Sequence, residues 1–203
     1  MTDPRKPYAD ALRSAGLDFN RPGVVAAFDA MLDKAGVPKA GAEQPPKKPG
    51  TKTLIGVIGA AAAAILTPLV MQWEGRELTA YKDVVGIWTI CDGDTSDVRP
   101  GQVATVEECN ARLERQLIAH AEPVLTCTPN LKDRPDQLAA AASLAYNIGV
   151  NAYCNSTVDR RFDAGDFRGA CDAFLMWNKA GGREVRGLTN RRKAEREICM
   201  RGL

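Results

Sequence analysis

Hydrophobic positions fall into three regimes along this chain, and each predicts a different kind of element. In residues 1–52 they are sparse. Ala26, Phe28, Met31 and Leu32 stand near helical spacing, which predicts one short helix. The stretch PKAGAEQPPKKPGTK follows, and its Pro, Gly and Lys content reads as a linker. So few apolar anchors predict a weak core for this extension taken alone.

From Thr53 to Trp73 no residue is charged. As a helix this run is long enough to cross a bilayer. Lys47, Lys48 and Lys52 precede it and would keep its N-terminal side in the cytoplasm. Its alanines, glycines, threonines and proline make it only weakly hydrophobic, however. The same pattern fits a buried Ala-rich helix of a soluble domain, and Ile65–Trp73 can serve in both settings. The run lies too far from the N-terminus for a simple cleaved signal peptide.

The third regime, 65–203, predicts an α+β unit, mostly helical with a small strand element. Residues 79–98 hold β-branched and aromatic positions broken by Gly86 and Gly93, the pattern of short strands and turns. Thr105-Val-Glu-Glu108 is a capping box, and Val106, Cys109, Leu113 and Leu117 then recur along one helical face. Pro135 opens a helix through Leu138, Ala141, Ala145 and Ile148, ended by Gly149. A further helix is expected from Asp166, with Phe167, Cys171, Phe174 and Trp177 inward, and a last one from Thr189 to Met200.

Composition adds modest constraints. The net charge of +2 names no polyanionic partner. The basic tail Arg183–Arg201 could meet an anionic surface, but a solvated helix face with i,i+3 and i,i+4 pairing to Glu195 and Glu197 is the simpler expectation. Aromatic residues are not interleaved there, so no nucleic-acid partner is implied. Trp88, Trp177 and Tyr146 could stack on sugars or pack in the core. The six cysteines all follow residue 90, and none forms a CxxC pair. With one histidine, His120, zinc ligation fits poorly, and neither metal nor cofactor is implied. An even cysteine count suits disulfides in an oxidising compartment, with the pairing open. His120 has no nucleophile motif near it and reads as a helix-face residue.

The candidate chemistry lies in WEGRELTAYKDVVGIWTICDGDT, residues 73–95. Glycosidic bonds are commonly cut between two carboxyl groups. One must hold its proton for the leaving oxygen, which an apolar setting favours; Glu74 has Trp73 and Leu78 for neighbours. Asp83, in an expected turn, suits the partner that stays charged. The Thr89 hydroxyl can hold the attacking water.

The order Glu74, eight residues, Asp83, five residues, Thr89 resembles the catalytic motif of the phage-type lysozymes, glycoside hydrolase family 24. TVEEC at 105–109, LAYNIG at 144–149, CNST at 154–157, GDFRGACDAF at 165–174, WNKAGG at 177–182 and GLTNRRKAEREIC at 187–199 extend the resemblance over residues 65–203. It implies a lysozyme-like fold with a small β-hairpin sheet, with Glu74 as general acid, Asp83 as second carboxyl and Thr89 as water-positioning residue. The implied substrate is peptidoglycan, at the bond between N-acetylmuramic acid and N-acetylglucosamine, cut by a monomer during host lysis. Asp94 stands where relatives usually carry a histidine, which puts local strand stability in question. The cysteines match the family's cysteine-rich branch, and residues 53–73 resemble a signal-anchor-release element. That implies transient residence in the inner membrane, then the periplasm. No cysteine lies in the run, so release by refolding without thiol exchange is expected. The alternatives are a virion-associated lysozyme module held in the particle by residues 1–52, and a wall-binding module that has lost activity.

Overall fold

The computed structural model describes residues 52–203 except Val84, together with Ala30, Leu32 and Lys34. The expected helix around Ala26–Leu32 lies mostly outside the described residues, although Ala30, Leu32 and Lys34 are helical.

The uncharged run folds as α1, Leu54–Glu74. Thr53 caps it, its Oγ1 accepting the Gly56 N–H at 3.2 Å. The helix is interrupted at Gly59, whose φ of 78° is left-handed. An added Cβ there would meet nothing within 4 Å, so conformation is what asks for glycine. α1 is long and apolar enough to cross a membrane, yet here most of it is buried. The strands β1, Glu77–Lys82, and β2, Trp88–Cys91, then form an antiparallel hairpin, with Tyr81 opposite Thr89. Residues 102–104 extend it, Ala80 N–H donating to Gln102 O and Ala104 N–H to Leu78 O.

α2, Val106–Cys127, opens on the expected capping box: Thr105 Oγ1 accepts from Glu108 N, and Glu108 Oε2 accepts from Thr105 N. α3, Pro135–Ile148, ends at Gly149. It is the central helix, packed against α1, α2 and the last helix. Ala62–Ala64 of α1 and Ala139–Ala142 of α3 are all buried, and small side chains allow two helix axes to approach closely. Leu54, Leu66, Leu69, Leu138 and Leu144 fill the same core, each burial contributing about 1.5–3 kcal/mol.

Two short helices, α4 (Val150–Cys154) and α5 (Thr157–Asp163), were not expected from the pattern. Their apolar repeats are too short to read, but Ser156 caps α5 by accepting from Asp159 N, a local signal the sequence does carry. α6, Phe167–Ala173, stops short of the expected Trp177 because the chain tightens into a 3₁₀ turn over Phe174–Met176. A two-residue hairpin, β3 (Lys179–Ala180) and β4 (Arg183–Glu184), turns at Gly181-Gly182. α7, Arg186–Cys199, begins three residues before the expected Thr189, with the Thr189 N–H already donating to Val185 O.

Three disulfides use all six cysteines: Cys91–Cys109 ties β2 to α2, Cys127–Cys154 ties α2 to α4, and Cys171–Cys199 ties α6 to α7.

Candidate active site

Glu74 is the last residue of α1, and Gly75, with φ 68°, turns the chain out of the helix. Arg76 then locks the exit. Its Nε lies 3.2 and 3.1 Å from the two oxygens of Asp92, and its Nη2 is 2.7 Å from Asp92 Oδ2, while Nη1 donates to Asn110 Oδ1 at 2.7 Å. Asp92 is buried, and burial pushes its carboxyl above the usual range despite that contact. The hairpin's end therefore sits against Glu74: a Cβ built on Gly93 would lie 3.9 Å from Glu74 Oε2.

The apolar setting expected for Glu74 is not what surrounds it. Leu78 is 38% exposed, and the closest charged neighbour is Arg191 on α7, with Nη1 2.6 Å from Glu74 Oε1. Arg191 also places Nε 3.2 Å from Glu195 Oε1. Glu195 and Arg192 are fully buried and meet at 2.9 Å, and Ser143 Oγ donates to Glu195 Oε1 at 2.7 Å. Two guanidinium groups thus meet two carboxyl groups, those of Glu74 and Glu195. Burial raises the Glu195 carboxyl and lowers Arg192 to about 10, against the attraction between them. The expected i,i+3 and i,i+4 pairing with Glu195 forms, but inside the domain instead of on a solvated helix face, because Arg191, Arg192 and Glu195 are all buried.

Asp83 follows β1 and organises the hairpin turn. Its Oδ1 accepts Val85 N–H at 2.9 Å and Ile87 N–H at 2.8 Å, and its own N–H donates to Ile87 O at 2.9 Å. Thr89 on β2 is 3% exposed, and its hydroxyl donates to Ile87 O at 3.1 Å. Thr89 and Asp83 are joined through Ile87, whereas Glu74 approaches from the opposite end of the hairpin.

Asp94 is satisfied where it stands. It exchanges backbone bonds with Ile90, and its carboxylate accepts from Ser96 N at 3.0 Å and Arg112 Nη1 at 2.7 Å. Burial alone would raise that carboxyl, but these hydrogen bonds and Gln116 bring it below the usual range. The strand is therefore held without a histidine. Tyr146 takes a structural place, its hydroxyl within reach of Asp92 O at 3.1 Å and bonded to Gln116, and burial first, then Glu74 and Asp92, push its phenol up. His120 packs 4.9 Å from the Tyr146 ring and is half-buried. Trp177 packs against the core, and Lys82 lies 5.6 Å over the Trp88 ring. Among the described residues no cluster of His, Cys, Asp and Glu could hold a metal ion.

Comparison with known proteins gives consistent relatives. The phage lysozyme family model matches residues 71–195. The SAR-endolysin of Enterobacteria phage P21 is 38% identical over 160 residues, covering 74% of this chain and 95% of that one. Among solved structures, the muramidase domain of SpmX from Asticcacaulis excentricus superposes with a TM-score of 0.59 at 29% identity, covering 65% of this chain and 92% of that one. An endolysin from Escherichia coli phage FAHEc1 gives 0.59 at 31% identity, covering 66% and 90%.

Proposed function

The chain belongs to the phage lysozyme family and is a lysozyme-type glycoside hydrolase, and from that premise we propose that Glu74, Asp83 and Thr89 carry out its chemistry. Glu74 gives its proton to the glycosidic oxygen as the bond between N-acetylmuramic acid and N-acetylglucosamine breaks. Asp83 stays ionised and meets the positive charge that develops at the sugar carbon. Thr89 Oγ1 donates to Ile87 O, which leaves its lone pairs to accept a hydrogen bond from the attacking water.

The observation that carries this reading is the way Glu74 is held. A carboxyl at a helix end is ordinarily mobile. Here the Arg191 guanidinium and the Arg76–Asp92 pair fix the carboxyl and the backbone beside it, the preorganisation that proton transfer needs. Arg191 also contacts Glu195, which fixes the guanidinium from its other side.

Residues 53–73 first hold the enzyme at the inner membrane and later join the folded domain in the periplasm. Support comes from the length and apolar character of α1, which suffice to cross a membrane, and from the name SAR-endolysin carried by the relatives. While α1 lies in the bilayer it is missing from its place between α2 and α3, and Glu74 is parted from Arg191. Release needs no thiol from the anchor, since the six cysteines pair among themselves downstream of it.

The test is clearing of outer-membrane-permeabilised Gram-negative cells by wild type and by Glu74→Gln. Loss of activity on the order of 10²-fold or more, with unchanged melting, is expected for removal of a general acid. Equal clearing would mean the assignment is wrong. For the anchor, membrane depolarisation should move the protein into the soluble periplasmic fraction; protein that stays membrane-bound would sink that part.

A further inference from the structure

The N-terminal extension supplies side chains to the catalytic unit. Leu32 is helical and 1% exposed, within the same buried cluster as Leu54, Ile58, Leu113 and Leu117. Lys34, also helical, places its Nζ 2.6 Å from Glu114 Oε2. Glu114 is itself buried on α2, and its other oxygen accepts the Leu54 backbone N–H at 3.3 Å. A carboxylate withdrawn from water needs a charge partner, and losing one is destabilising even where the partner, as Lys34 is here, remains exposed. Here the partner comes from outside the family match, which begins at residue 71.

A groove continues the contact. Ala30 and Lys34, one helical turn apart, line it together with Glu107, Asn110, Ala111 and Glu114. The last four stand at i, i+3, i+4 and i+7, one face of α2. Glu114 thus touches both the extension and the first residue of α1, and Leu32 shares a core with both helices.

We propose that Ala30, Leu32 and Lys34 form an intramolecular latch: they dock on α1 and α2 and hold the start of α1 in the folded domain, so that a released anchor does not return to the bilayer. The second half of this statement rests on the anchor reading above; the docking does not. The latch can close only when the extension lies on the same side of the membrane as the catalytic unit. Closure therefore follows transfer of the extension and makes release one-way.

The full-length chain tests this with four variants: Leu32→Asp, Lys34→Glu, Glu114→Lys and the Lys34→Glu/Glu114→Lys swap. Leu32→Asp should lower the melting temperature by about 5 °C or more. Each single charge reversal should lower it by a few degrees, about 3 °C, and the swap should recover at least half of the loss from Glu114→Lys. Melting of Leu32→Asp and Lys34→Glu within about 1 °C of wild type would overturn the docking. The membrane arm uses the same proteins in cells. After depolarisation, Leu32→Asp should leave at least about three times more enzyme in the membrane fraction than wild type, a shift expected from modest bias of a two-state equilibrium. Equal release of Leu32→Asp and wild type would overturn the latch's role in release. Wild type that never sediments with membranes would remove the anchor reading and with it that role, while the melting data would still decide the docking.

Discussion

Arg191 Nη1 stands 2.6 Å from Glu74 Oε1, joining residues 117 positions apart. The contact ties the end of α1 to α7 and makes the proposed proton donor one corner of a buried network. Arg191, Arg192 and Glu195 are each at most 5% exposed there.

That network predicts two effects of Arg191→Met. Glu195 keeps Arg192 but loses its other guanidinium, so stability should fall by about 3–5 kcal/mol, as for other broken buried pairs. Glu74 loses its orientation, and kcat should fall roughly ten- to a hundredfold with little change in KM. Arg191→Lys should regain part of the stability and less of the rate, because an ammonium cannot reproduce the guanidinium fork. Chemical denaturation and steady-state kinetics on soluble glycan fragments would check both.

Asp83 combines a turn-forming oxygen with a charge, and substitutions separate the two. Asp83→Asn keeps an oxygen able to accept from Val85 and Ile87 and should leave stability nearly unchanged. Asp83→Ala removes both bonds and should cost about 1 kcal/mol. Both should lose at least about tenfold in turnover if the carboxylate is what the chemistry needs. Wild-type turnover in Asp83→Asn would assign this residue to the turn alone.

Asp94 predicts a particular acid sensitivity. Its folded carboxyl is held below the ordinary value of 3.8, so the folded state favours the ionised form. That stabilisation is fully present above the ordinary value and is lost as pH falls through the lowered one. Melting of wild type and Asp94→Asn, followed from about pH 6 downward, should therefore differ at the upper end and converge as Asp94 is protonated. Asp92, raised by burial, acts in the opposite direction and is common to both proteins.

Gly59 predicts a shift between the two proposed settings of α1. Ala at a φ of 78° strains the folded domain by about 1–2 kcal/mol, while a continuous helix gains about 1 kcal/mol from Ala over Gly. Gly59→Ala should therefore raise the membrane-bound fraction in cells and lower the melting temperature of the released protein. Cell fractionation with calorimetry reads both, and unchanged partitioning would argue against a helix that straightens on insertion.

Much of this protein was legible in short stretches of sequence. The Thr105–Glu108 capping box, the Pro135–Gly149 helix and the hairpin turning at Gly86 depend on neighbours within a few residues, and local spacing reports them. So does the order Glu74, Asp83, Thr89. The short helices after Gly149 escaped because five- and seven-residue segments carry too few apolar repeats, although the Ser156 cap was present.

Other features depend on contacts that local spacing does not encode. A run such as Arg191-Arg192-Lys193 is ordinarily solvated, and only the packing of α7 on α3 brings its arginines to Ser143, Glu195 and Glu74. The cysteine count implied disulfides, but chain folding chose the partners. Leu32 belonged to one short helical pattern in a segment with too few apolar residues for a core of its own, and only the tertiary fold places it in the core with α1 and α2. The sequence by itself determined the longer elements, the family and the candidate chemistry, because these follow from short-range spacing and a recognisable motif. Tertiary structure alone decided what holds Glu74 and what neutralises Glu114, because both depend on groups far apart in the chain meeting once the core is closed.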